Sequence, residues 1–132
     1  MKKSYTGSCH CGAVRFECKV DLSEPTSRCN CSICAKSRFW KTVMPDRDFR
    51  LLAGEHALTE YRFGGGNIRH FFCATCGVKT FGRGALEEIG PFHAVNVMCL
   101  DASDEELVRA PILYENGRDN RWDEVPAETQ HL

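Results

Sequence analysis

Seven of the nine cysteines in this 132-residue chain fall into three clusters: Cys9 and Cys11 on either side of His10, then Cys29, Cys31 and Cys34, then Cys73 and Cys76. Thiolate sulfur is a strong zinc ligand, and zinc takes four protein ligands in a closed structural site but three plus an exchangeable group in a catalytic one. Seven clustered sulfurs suggest a division into four and three. The three-ligand set is where function is expected.

Cys73-x-x-Cys76 is followed by Gly77, and Cys9-x-Cys11 by Gly12. Glycine permits the tight turn that brings two sulfurs onto one ion, and amide groups in such turns point at the thiolates and offset part of their charge. A closed zinc site of this kind contributes on the order of 10 kcal/mol to folding, comparable with the whole stability of a small domain. The middle cluster differs, because three sulfurs within six residues can wrap one face of an ion and leave the opposite direction open. An exogenous thiol captured there is held as thiolate at neutral pH, beside whatever electrophile binds next to it. The competing reading is a second structural site completed by Cys18, Cys99 or a histidine. Spacing alone also leaves open which clusters share an ion.

The elements that must position these sulfurs read as mainly β. Ala13 to Cys18 and Leu58 to Phe63 alternate small or apolar with polar side chains, the pattern of a strand with one face on a core. Phe39 to Val43, Ile68 to Phe72, Val78 to Phe81, Phe92 to Met98 and Ile112 to Tyr114 are further strand candidates. Gly64-Gly65-Gly66-Asn67 suits a hairpin loop. Ser103-Asp104-Glu105-Glu106 matches a capping box and predicts about two turns of helix.

Length and the absence of an internal repeat or linker predict a single domain over residues 1–132, with a polar tail from Glu115 to Leu132 whose last residues are free to be disordered. Seventeen basic against 18 acidic residues give a formal net charge of -1, which offers no overall attraction to nucleic acid or anionic membrane. The first residues contain no apolar stretch suited to a signal or membrane span, so the expected location is the cytoplasm, where such cysteine spacings indicate metal rather than disulfides. No Ser-His-Asp order or phosphate loop is present.

The strings Gly7-Ser8-Cys9-His10-Cys11-Gly12-Ala13-Val14, Cys29-Asn30-Cys31-Ser32-Ile33-Cys34 and Phe72-Cys73-Ala74-Thr75-Cys76-Gly77, in that order, closely resemble the glutathione-dependent formaldehyde-activating enzyme family, which also includes centromere protein V. Asn96 to Asp101 is similar to a later strand of that family. The resemblance implies a β-tent of antiparallel sheets, with Cys9, Cys11, Cys73 and Cys76 on a structural zinc and Cys29, Cys31 and Cys34 on a second, catalytic zinc. It also implies a carbon-sulfur lyase, or synthase, that joins glutathione or a related thiol to formaldehyde or another small electrophile. A noncatalytic zinc-binding interaction module and a glutathione carrier are the alternatives. Lys36 and Arg38, which follow the middle cluster together with Lys41, are the candidates for meeting a substrate carboxylate.

Overall fold

The computed structural model describes residues 1–132. In chain order the elements are β1 (Lys3–Ser8), β2 (Arg15–Val20), β3 (Thr26–Cys29), α1 (Ser32–Ser37), β4 (Trp40–Pro45), β5 (Phe49–Ala53), β6 (Leu58–Tyr61), β7 (Arg69–Cys73), β8 (Lys79–Leu86), β9 (Gly90–Asn96), α2 (Asp104–Arg109) and β10 (Ile112–Glu115). They form two sheets, one of three strands in the order β1-β2-β5 and one of seven in the order β10-β3-β4-β9-β8-β7-β6. The architecture is mainly β with two short helices.

Alternation along β2 explains how the two sheets meet. Phe16, Cys18 and Val20 are buried while Arg15 and Lys19 face outward, so one side of the strand supplies the core. Phe16 is wholly buried, stacks on Phe49 at 5.4 Å between ring centroids and meets Phe81 of the large sheet edge-on at 6.4 Å. Burying such an aromatic side chain removes the largest apolar surfaces of the chain from water, worth roughly 1.5–3 kcal/mol each.

The capping box is formed in full. The Ser103 hydroxyl accepts from the Glu106 amide at 3.2 Å while a Glu106 carboxylate oxygen accepts from the Ser103 amide at 3.1 Å. The glycine-rich segment connects β6 to β7 as a loop, with Gly64 and Gly66 at positive φ. Three differences from the sequence reading bear on the site. Val97 to Cys99 turns as a short 3-10 helix instead of continuing the strand, because the Asn96 side chain accepts from the Met98 amide at 3.0 Å and closes a turn. Ser32 to Ser37 forms an additional helix inside the middle cysteine cluster. The sheets are also not wholly antiparallel, since β10 pairs parallel to β3 over Thr26 to Cys29. The chain returns through α2 and comes back along β3 in the same direction, which delivers residues 115–122 to the end of β3 where Cys29 sits.

Candidate metal and thiol-binding site

The first and third cysteine clusters are the turns of two hairpins, one in each sheet. The β1–β2 turn carries Cys9 and Cys11, and the β7–β8 turn carries Cys73 and Cys76. Their backbones repeat one another: the Cys9 amide donates to the Val14 carbonyl at 3.1 Å, and the Cys73 amide donates to the Val78 carbonyl at 3.0 Å, five residues on in both cases. Gly12 at φ 82° and Gly77 at φ 79° take the left-handed conformation directly after the second cysteine of each turn. A side chain bearing Cβ is strained there, which explains the glycine that follows each pair.

The two turns bring the Cys9, Cys11, Cys73 and Cys76 sulfurs within 4.8 Å of one another. Cys9 Sγ lies 3.6 Å from Cys11 Sγ, which lies 3.7 Å from Cys73 Sγ. A tetrahedron with metal–sulfur bonds of about 2.3 Å has an edge of about 3.8 Å, so the spacing fits zinc and is far too long for a disulfide. All nine cysteines are free thiols. Amides aim at the sulfurs as such a site requires: the Val14 amide donates to Cys9 Sγ at 3.3 Å. Backbone donation from Val78 and then Cys11 lowers the Cys76 thiol to about 6, and donation from Cys76 and then Thr75 lowers that of Cys73. Cys11 also receives the Ala13 amide, but desolvation and the neighbouring sulfurs push it up to about 11. This cluster could hold a metal ion, and doing so would join the two sheets at their turns.

The middle cluster is built differently. Cys29 closes β3, Cys31 is the N-cap of α1, and Cys34 lies within that helix. Cys29 and Cys34 are buried, Cys31 is half-buried, and the Cys31 amide donates to Cys29 Sγ at 3.4 Å. The Cys31 and Cys34 thiols are shifted in opposite directions. Hydrogen bonds from Cys29 and then Cys34 hold the Cys31 thiol far below its ordinary value, while bonds to Cys29 and Cys31 drive that of Cys34 up. The positive charge of Lys41 acts on both Cys31 and Cys34.

Residues after β10 fix this cluster from the other side. The buried Asn30 side chain donates to Asn116 Oδ1 at 2.9 Å and accepts from the Arg118 amide at 3.0 Å, and the Asn30 amide donates to the Glu115 carbonyl at 3.1 Å. Trp122 packs its ring edge toward Gly117, beside Cys29, with its indole nitrogen donating to Asn120 Oδ1 at 2.9 Å.

Against this geometry, comparison with known proteins is decisive for the family. The family model described as glutathione-dependent formaldehyde-activating enzyme matches residues 4–115. The chain belongs to that family. A Halomonas elongata protein named "Putative glutathione-dependent formaldehyde-activating enzyme" is 30% identical over 139 aligned residues, covering 94% of this chain and 82% of the relative. A Rhodobacter sphaeroides protein of known crystal structure superposes with a TM-score of 0.69 at 31% identity, covering 82% of this chain and 99% of the other. This formaldehyde-activating family member thus shares its fold with an experimentally determined structure.

Around the middle cluster, the basic residues of this family member have separate surroundings. Lys36 is exposed on α1. Arg38 is also exposed, takes a left-handed φ of 51°, and donates to the His131 carbonyl at 3.0 Å, so it holds the C-terminal tail, whose Leu132 is buried. Lys41 is tied to Glu115 at 2.6 Å. The residue that sequence reasoning missed is Lys79 at the start of β8. Its ammonium lies 4.0 Å from the centroid of the Phe39 ring and donates to Nδ1 of His70 at 2.9 Å. Phe39 in turn packs with Cys29 and Cys34.

The reserve cysteines lie elsewhere. Cys18 sits in the core between the sheets, where burial pushes its thiol up to about 12. Cys99 is likewise raised to about 12 by burial, and feels Cys9 and Cys76, which places it beside the four-cysteine cluster. It lines an open depression of about 350 Å³ there with His10 and Met98. His93 is buried, stacked on Phe49 at 3.9 Å and bonded through Nδ1 to Asp46 at 2.8 Å.

Proposed function

We propose that this protein is a cytoplasmic zinc-dependent carbon-sulfur lyase, or synthase, that joins glutathione to formaldehyde as S-hydroxymethylglutathione on a β-tent carrying two zinc ions. Family membership supports the choice of glutathione and formaldehyde. Cys9, Cys11, Cys73 and Cys76 would hold the structural ion, and Cys29, Cys31 and Cys34 the catalytic one. The observation that carries the reading is the separation of Cys18 and Cys99 from the middle cluster, since both spare sulfurs are committed to other parts of the fold.

When bound, zinc supplies Lewis acidity that favours the thiolate form of an incoming thiol. The chain's part is to hold the reacting sulfur in place. Cys29 and Cys34 are buried and Cys31 is nearer solvent, so the cluster's exposed side is the approach for a ligand. The glutathione sulfur forms a bond to the formaldehyde carbon, the carbonyl π pair moves to oxygen, and that oxygen takes a proton from solvent; the thiol proton leaves to solvent. The reverse sequence cleaves the carbon-sulfur bond. Thiols add to formaldehyde without assistance, so the gain comes chiefly from proximity and orientation.

The test mixes zinc-loaded protein with glutathione and formaldehyde and follows adduct formation against the spontaneous rate, with Cys34→Ser in parallel. The expected result is an excess rate that disappears in the variant. Wild-type protein that binds glutathione without any excess rate would instead be a carrier, and the enzymatic reading would fall.

A further inference from the structure

Lys79 is a charged group for which the proposed chemistry has no assigned use. Its side chain is drawn inward between Phe39 and His70, and no carboxylate lies within 4.0 Å of its nitrogen, whereas Lys41 nearby is paired with Glu115. His70 accepts one hydrogen bond through Nδ1 but, as a neutral ring, gives no countercharge. Desolvating an ammonium is costly unless an anion compensates it. Burial accordingly lowers the Lys79 pKa, and the nearby sulfurs of Cys34 and Cys31 oppose that shift.

Lysine has three N–H donors, and the hydrogen bond to His70 occupies one. None goes to a sulfur of the middle cluster, so the ammonium stands off from those thiols with two donors to spare while still sensing their charge. On the far side, His70 stacks on Phe63 at 5.5 Å, and Phe63 on Tyr61 at 5.9 Å; both aromatic residues are exposed. The cation therefore lies between the three sulfurs and a solvent-facing aromatic wall, where the remainder of a sulfur-bound molecule would extend.

We propose, resting on the thiol-binding role of the Cys29, Cys31 and Cys34 cluster, that Lys79 is a specificity-determining residue that pairs with a carboxylate of the incoming thiol, so that the site selects anionic thiols over neutral ones. His70 and Phe39 fix the direction of the ammonium, and the carboxylate occupies the two free donors. Ligands whose carboxylates are masked lose this pairing but keep their sulfur.

The measurement is equilibrium binding, by calorimetry, of glutathione and of glutathione diethyl ester to the zinc-loaded protein, for wild type, Lys79→Met and Lys79→Arg. Wild type is expected to favour glutathione by roughly tenfold, a ratio that collapses toward one in Lys79→Met and is largely kept in Lys79→Arg. A wild type with no preference overturns the proposal before any variant is made. So does a Lys79→Met protein that weakens both ligands equally, since a lysine acting only as countercharge to the sulfurs would do that. The binding ratio is read without turnover, so failure of the adduct assay and failure of this inference are separate results.

Discussion

Gly117 lies against Cys29 so closely that a Cβ at position 117 would sit 2.6 Å from the Cys29 sulfur and 2.5 Å from the Trp122 ring. The contact joins the loop after β10 to the last residue of β3, 88 positions earlier in the chain. The sulfur cannot recede freely, because Cys29 is buried and the adjacent Asn30 is hydrogen-bonded to Asn116 and Arg118. Gly117→Ala is therefore expected to destabilise the protein by about 1–3 kcal/mol through overpacking. In the proposed two-zinc form it should also lose metal from the middle cluster before the four-cysteine cluster. Chemical denaturation and metal content by elemental analysis check the two halves of this statement.

The four-cysteine cluster calls for a different experiment. Cys73 is wholly buried and Cys11 exposed, although both contribute a sulfur to the same group. Chelating the metal should lower the unfolding temperature sharply, because a closed zinc site supplies folding free energy on the order of 10 kcal/mol in small systems. Cys73→Ser should be worse than Cys11→Ser, since it both removes a ligand and puts a hydroxyl in a dry position. Thermal melts of the two variants, with and without added zinc, give the order directly.

His70 makes stability depend on pH. Burial first, and the Lys79 charge second, lower its pKa to about 4, against an ordinary value of 6.5. Above 6.5 the ring is neutral in both folded and unfolded chains, so its contribution is present in full. Between 6.5 and about 4 the unfolded chain takes up a proton that the folded one refuses, and stability falls as the pH drops through that window. After allowance for solvent screening, the loss is on the order of 1–2 kcal/mol. Unfolding free energies at pH 7.5 and pH 5 should differ by less in His70→Gln than in wild type; equal differences would remove His70 as the cause.

What the sequence makes legible is local. The capping box at Ser103 and Glu106 is written in four adjacent residues, and the zinc-ready turns in Cys9-x-Cys11-Gly12 and Cys73-x-x-Cys76-Gly77. Strands with clear alternation, such as β2 and β6, are found within two residues of their ends. β3 is not, because Thr26-Ser27-Arg28 is polar, and Trp40 reaches in to donate to the buried Thr26 hydroxyl at 2.6 Å. α1 is too short for a helical period to show.

The residues that surround the site come from distant parts of the chain. Ile112 to Tyr114 reads as a strand, but nothing in those residues selects β3 as its parallel partner. Val78 to Phe81 reads as a strand, with nothing in those residues to mark the setting of Lys79. Only folding brings Phe39 and His70 around that lysine. Asn30 and Asn116 show the same limit, since two amides so distant in sequence carry no sign of each other until the sheet is assembled.

The parallel seam between β3 and β10 also sets an order of assembly. During synthesis, the sulfurs of the two hairpin turns are all available once residue 76 has emerged, so a metal ion bound by them would close the pair of turns on an incomplete chain. The trio at 29, 31 and 34 is translated long before that, yet its supporting wall of residues 115–122 follows only after all four of those sulfurs. A partly synthesised chain thus holds all seven clustered cysteines before the segment that packs against Cys29 exists.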